Sequence, residues 1–165
     1  MPIQKLSDRD FESIYSIINA AAAVAYKSKI PPDCYHEPYM SQTELQREIA
    51  QGIQFYGVMH EGELAAVMGL QPVGDVTLIR HAYTHPKHQC RGLGSQLLSY
   101  LLSLAKTKRI LVGTWQDASW AIRFYQKHGF VLLSREETNR LLSTYWDIPK
   151  RQIETSIVLE QWRNP

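Results

Sequence analysis

Residues 76–115 run through a strand-like stretch, VTLIRHAYTH, a basic loop opened by Pro86 and carrying two glycines, a leucine-rich stretch, and the apolar run ILVGTW. Leu97, Leu98, Leu101, Leu102 and Ala105 recur at three- and four-residue steps, so they share one face of a helix. ILVGTW is apolar at consecutive positions, as expected of a strand covered on both sides. A strand, a tight loop, a helix and a covered strand in succession demand a sheet with helices packed on its faces.

The flanking segments extend that pattern. Ile3 and Leu6 form a short apolar start, and Ser7-Asp8 suits the cap of a helix on which Phe11, Ile14, Tyr15, Ile18, Ala21, Ala22 and Ala25 recur at helical spacing. Pro31-Pro32 is expected to stop that helix. The loop DCYHEPYM follows, rich in aromatic and ionisable side chains, and Ser41 to Glu44 has the capping-box pattern of a second helix, with Leu45 and Ile49 as its apolar face. IQFYGVMH and ELAAVMGL flank Glu61-Gly62 as a hairpin, and Gly74-Asp75 precedes the long strand. Beyond ILVGTW come a helix, SWAIRFYQKH, closed by Gly129, a strand, FVLLS, and a helical stretch from Arg135 to Trp146. Ile153, Thr155, Ile157 and Leu159 alternate with more polar residues and predict the last strand. The expected order is βααβββαβαβ, a further helix, and a final β, an α/β domain with a mixed sheet spanning residues 1–165 as one unit.

Composition narrows the class of partner. A net charge of +2 with dispersed basic residues argues against nucleic acid, and no apolar run approaches the roughly 20 residues of a membrane span. Two cysteines, Cys34 and Cys90, make no disulfide framework and no metal-type pair, which fits a reducing, cytoplasmic setting.

Three readings compete for the loop HPKHQCRGLG. His81, His85 and His88 would align on a helix as metal ligands, but Pro86 breaks a helix there and no acidic or cysteine partner stands at ligand spacing, so no metal is expected. An ordinary strand-to-helix turn also uses glycines. An anion cradle fits as well, because glycines let a ligand approach the backbone and the next helix offers free amides and its positive end. The loop lacks the Gly-Lys-Ser/Thr of a nucleotide-binding P-loop, and Leu97 stands where a dinucleotide fingerprint wants its third glycine. The anion reading therefore points to a pyrophosphate held without metal.

Gln89-Cys90-Arg91-Gly92-Leu93-Gly94 resembles the acetyl-CoA loop of the GNAT N-acetyltransferases, Gln/Arg-x-x-Gly-x-Gly/Ala, with a strand before it and a helix after it. ASWAIRFYQKHGF is similar to that family's second block, supplying Ala121, Tyr125, Gly129 and Phe130, with Ala118 in place of the usual opening asparagine. The two blocks occur in the family's order with one apolar strand between them, and the element order matches along nearly the whole chain.

The resemblance implies a GNAT-like acyl-CoA N-acyltransferase fold, with a mixed, mostly antiparallel sheet of six to seven strands flanked by helices. It implies an enzyme that transfers acetyl from acetyl-CoA to a primary amine of a small molecule or amino acid derivative by direct attack. Alternative readings are a protein N-terminal or lysine acetyltransferase and a non-catalytic CoA-binding module. Cofactor contacts carry over to Tyr83, Thr84, Gln89, Cys90, Arg91, Gly92, Leu93, Gly94 and Ser95, with the Thr84 amide polarising the acetyl carbonyl. Tyr125 carries over as the acid that protonates the departing CoA thiolate, since a phenol near pKa 10 can serve a thiolate of pKa about 8.5. The positions where relatives place a general base hold Leu78, Arg80 and Gly113, none of which can serve. His36 and Glu37 are candidates for that role, and His81 is another, although strand alternation would face it away from Arg80. Arg80, Tyr35, Trp115 and Trp146 are expected around the acceptor, and a homodimer is common in the family.

Overall fold

The structure, a computed structural model, describes residues 2–164. Seven strands form one sheet: β1 (Ile3–Lys5), β2 (Gln54–His60), β3 (Glu63–Val73), β4 (Val76–Thr84), β5 (Arg109–Trp115), β6 (Val131–Leu132) and β7 (Ser156–Trp162). Their spatial order is β1-β2-β3-β4-β5-β7-β6, and every neighbouring pair is antiparallel except β4 and β5. Among the described residues six α-helices surround it: α1 (Phe11–Ala25), α2 (Gln42–Ala50), α3 (Leu93–Leu104), α4 (Ser119–Lys127), α5 (Arg135–Tyr145) and α6 (Lys150–Thr155). The expected α/β class, the mostly antiparallel sheet and its strand number are all present.

The parallel β4–β5 pair is a consequence of α3. A parallel neighbour needs a crossover, and α3 makes it while burying Leu93, Leu97, Leu98 and Leu101 on one face of the sheet. That face continues under α4 through Ala121, Tyr125 and Phe130. On the opposite face α1 buries Ile14, Ile17, Ile18, Ala21 and Ala22, and α2 adds Leu45. Leu141 and Leu142 of α5 close the same face against Leu78, Leu111 and Val158. Alternation along β4 and β5 thus feeds two cores.

Three local expectations change. The first helix ends at Ala25, ahead of Pro31, because the Lys29 and Ile30 amides both turn back to the Tyr26 carbonyl at 2.9 Å. Ile153 and Thr155 belong to α6, which starts after Pro149, and the Thr155 hydroxyl donates to the Arg151 carbonyl at 2.9 Å as helical threonines do. The final strand therefore begins at Ser156. The stretch FVLLS contributes only the two-residue edge strand β6, whose Val131 and Leu132 are exposed.

One irregularity organises the centre of the sheet. Tyr83 pairs with Val67 and Arg80 with Gly69, so His81 and Ala82 together oppose the single residue Met68. This is a β-bulge in β4, with His81 in the left-handed region at φ 54. Gly69 lies across from it, where an added Cβ would stand 2.9 Å from the Arg80 carbonyl oxygen and 2.9 Å from Ile53 Cγ2. Gly69→Ala is expected to destabilise the protein by about 1–3 kcal/mol, measured by urea unfolding, because neither backbone can retreat without disturbing the bulge.

Candidate active site

The bulge bends β4 away from its parallel neighbour. Pairing with β5 runs from Val76↔Arg109 to Ile79↔Val112 and stops there. Residues 80–84 and 113–115 therefore diverge, while β5 keeps its antiparallel partner β7 through Trp115↔Ser156. On the other side of β4, the His85 amide donates to the Ala65 carbonyl at 2.8 Å. Hydrogen-bonded and non-bonded pairs alternate along an antiparallel ladder, so the Thr84 N–H is turned away from β3 and toward the opening.

The loop from Gln89 to Gly92 leads into α3 on one side of this opening. Gly92 sits at φ 73, a conformation glycine adopts without the clash a Cβ brings. Cys90, at φ 62, adopts a similar conformation without that freedom. The first amide bonded back to this loop is that of Gln96, to the Gly92 carbonyl at 3.1 Å. The amides of Leu93, Gly94 and Ser95 have no intrahelical acceptor, as at any helix start. A cavity of about 680 Å³ faces them, lined by the whole stretch from His88 to Ser95 and reaching Tyr83, Thr84 and Tyr125. An alanine methyl at position 94 would meet only Phe124 at 3.5 Å, so the protein's own packing does not demand glycine there.

Two smaller cavities lie beside it. A cleft of about 100 Å³ lies between the diverging strands, and it shares Tyr26, Ala82, Tyr83 and Tyr125 with the large cavity. A third cavity of about 400 Å³ shares Tyr39, Arg80, His81 and Trp115 with the cleft. The three cavities thus adjoin one another, sharing walls, where β4 and β5 part. Burial pushes the Tyr26 phenol up to about 12 and the Tyr83 and Tyr125 phenols well above the ordinary tyrosine value. Among the described residues no group hydrogen-bonds the Tyr125 hydroxyl, whereas Trp115 Nε1 donates to the Tyr39 hydroxyl at 3.1 Å.

Glu48 of α2 lines the third cavity beside Arg80 and His81, which line both that cavity and the cleft. Its carboxylate accepts from Arg80 Nη2 at 2.7 Å and faces His81 Nε2 at 2.9 Å. Burial alone would raise the Glu48 carboxyl, but the neighbouring His81 and Arg80 outweigh it and hold it down at about 2. Strict alternation would put Arg80 and His81 on opposite faces. The bulge turns both toward Glu48, correcting that expectation. Arg80 also donates to Gln71 Oε1 at 3.3 Å, so it forms part of an internal ion pair.

Glu48 was hidden in the sequence because α2 looks polar apart from Leu45 and Ile49. The signal was its position three residues after Leu45, which puts a carboxylate on the apolar face.

The other expected residues divide between cavity wall and surface. His36 lines the third cavity, Trp146 the cleft, and Trp115 both. Glu37 lies at the surface, bonded to the Tyr35 hydroxyl at 3.1 Å and 3.5 Å from Lys27 Nζ, and neither Glu37 nor Tyr35 lines the three cavities. Arg91 is exposed, with Nη1 3.4 Å from His60 Nε2, and the Ser95 hydroxyl is 3.0 Å from His128 Nε2. His88 packs edge-on against His60, with ring centroids 5.0 Å apart, and neither of its buried nitrogens has a partner among the described residues. No group of three or more metal-binding side chains gathers among the described residues, and none of their helices is long and apolar enough to cross a membrane.

A sheet opened at one parallel pair, with a free helix start on one side and a pocket on the other, defines an acyl-CoA N-acyltransferase fold. The chain belongs to the Acetyltransferase (GNAT) family, whose model matches residues 12–130, and it is an acetyl-CoA-dependent N-acetyltransferase. It is 32% identical over 108 residues to the spermine/spermidine N(1)-acetyltransferase of Bacillus subtilis, covering 56% of this chain and 70% of that protein. Its fold is similar to that of the PaiA N-acetyltransferase of Thermoplasma acidophilum in complex with coenzyme A, with a TM-score of 0.74, 19% identity and 98% of each chain covered. A ribosomal-protein-alanine N-acetyltransferase from Brucella melitensis is similar too, with a TM-score of 0.69, 14% identity, and 99% of this chain and 100% of that one covered.

The depressed Glu48 carboxyl ties stability to pH. Its folded value lies below the unfolded 4.5, so its contribution is present above that pH and is lost as pH falls toward 2. Glu48→Gln is expected to lower stability at pH 7 and to flatten the acid limb of a thermal-melting pH series between these values.

Proposed function

We propose that the large cavity takes acetyl-CoA and that the acetyl group crosses the β4–β5 cleft to a primary amine entering through the third cavity. The three cavities adjoining one another across the gap, with shared walls, carry this reading. The free amides at the start of α3 and the open space before Gly94 suit a pyrophosphate approaching the backbone. When bound, acetyl-CoA supplies a thioester-activated acetyl group.

Backbone amides between Gln89 and Ser95 hold the anion, with the Arg91 guanidinium adding charge at the rim. Cys90 and Leu93 contribute main chain and cavity wall. Thr84 holds the pantetheine arm through its backbone, and Tyr83, whose backbone faces Val67 of β3, contributes cavity wall. The Thr84 N–H, aimed into the opening, stabilises negative charge as it develops on the acetyl oxygen. Tyr125 keeps its proton throughout the working pH range and gives it to the departing sulfur. Burial that raises the phenol raises the thiolate's affinity for a proton in the same cleft.

The acceptor in this reading is a small amine or an amino acid derivative. The named activity of the Bacillus subtilis relative on spermine and spermidine supports a small amine. Trp115 and Trp146 give the pocket apolar wall, and His36 lies on its outer side. Arg80, already held by Glu48 and Gln71, frames the pocket in place of seeking a substrate anion.

Thiol release from acetyl-CoA across a panel of spermidine, spermine, free amino acids and an alanine-terminated peptide tests the acceptor class. Turnover on the small amines is expected; turnover confined to the peptide would move the acceptor to protein amino termini. Tyr125→Phe is expected to lower kcat by about 10²-fold while acetyl-CoA affinity, read by calorimetry, stays within about twofold. Unchanged turnover in this variant would remove the acid role.

A further inference from the structure

We infer that His81, held by Glu48, is the base that takes the proton from the acceptor amine, resting on the acceptor route proposed above. His81 lines both the cleft and the third cavity, at the point where an amine coming from one meets an acetyl group lying in the other. Its Nε2–H donates to Glu48 Oε2 at 2.9 Å, which leaves Nδ1 as the nitrogen with a lone pair. No partner for Nδ1 is found among the described residues. The ring is fixed by stacking between Phe55, with centroids 6.1 Å apart, and Tyr83, at 6.4 Å. A histidine held at positive φ in a bulge is a strained arrangement that only surrounding packing sustains, and such strain concentrates at working sites.

Glu48 is unsuited to be the base itself. Both of its oxygens are engaged, one by Arg80 and the other by His81. It is a positioning residue: its charge fixes the histidine tautomer and stabilises the imidazolium that forms. Arg80 keeps that carboxylate ionised. The ionisable groups that line the cleft and third cavity with His81 are Glu44, Arg47 and Glu48 from α2, Tyr26, Asp33, Cys34, His36 and Tyr39 between α1 and α2, Arg80 and Tyr83 from β4, Tyr125 from α4, Asp147 beyond α5, and Arg151 from α6.

The proton balance closes with these groups. An ammonium acceptor breaks one N–H bond to His81 Nδ1 and keeps the electron pair on nitrogen, which then attacks the acetyl carbon. The new C–N bond forms as the C–S bond breaks. The second proton lost by nitrogen passes through solvent to the Tyr125 phenolate, replacing the one given to sulfur, and His81 passes the first to solvent. The net products are the N-acetyl amine, the free thiol and one proton.

Two measurements test the assignment. The first is the 15N spectrum of the protein with imidazole-labelled histidines, His81 being assigned through His81→Asn. A neutral ring protonated at Nε2 and bare at Nδ1 is expected; the opposite tautomer would overturn the assignment, whatever the acceptor. The second is the pH profile of kcat/KM with spermidine. His81→Asn is expected to lose about 10²-fold at neutral pH and to lose the acid limb of the profile, with acetyl-CoA affinity within about twofold. Glu48→Gln, which keeps a hydrogen-bonding amide, is expected to shift that limb to lower pH, because the imidazolium loses its carboxylate and keeps Arg80 nearby. A folded His81→Asn with wild-type turnover, or an acid limb unmoved in both variants, would assign the pair to structure alone. Lack of spermidine turnover in the unsubstituted protein counts against the small-amine acceptor, and the tautomer measurement still decides the role of His81.

Discussion

The extra residue in β4 is the constraint on which the site depends. Without the bulge at His81 and Ala82, β4 and β5 would have no local reason to part after Ile79 and Val112. The same bulge brings Arg80 and His81 to one carboxylate and leaves the Thr84 amide facing an opening in place of a neighbouring strand. Gly69 permits it by bringing no Cβ against the Arg80 carbonyl. A single backbone irregularity thus joins fold and chemistry.

The adjoining cavities differ in what lines them. At the large cavity, free amides and Arg91 offer positive charge. At the third cavity, Glu48, Arg80 and His81 neutralise one another in a network only partly open to solvent. Between them, burial keeps the Tyr26, Tyr83 and Tyr125 phenols protonated. In such surroundings a fixed donor or acceptor acts with less screening than in water, which suits a transfer that must protonate sulfur and deprotonate nitrogen a few bonds apart.

Much of this was legible in the sequence where local rules hold. Helical spacing of Leu97, Leu98 and Leu101 marked α3, and Gly92, Gly94, Ala121 and Tyr125, singled out by their motifs, come together in the wall of the large cavity. What depended on tertiary contacts was less visible. The run VTLIRHAYTH gives no sign that one residue is extra, so the facing of His81 was misread. Glu48, more than thirty positions earlier, becomes meaningful only when α2 packs beside that bulge. Ile153 and Ile157 imitated one continuous strand because a four-residue spacing suits both a helical turn and a strand face. Glu37 and Tyr35 sit in the right loop, but bond to each other at the surface.

A crystal structure with acetyl-CoA bound tests the central claim most directly. The account predicts the thioester lodged between residues 80–84 and 113–115, with its sulfur beside the Tyr125 hydroxyl, its carbonyl oxygen on the Thr84 N–H and the pyrophosphate on the amides at the start of α3. A pantetheine arm lying outside the β4–β5 opening, with the thioester remote from Tyr125 and His81, would contradict it.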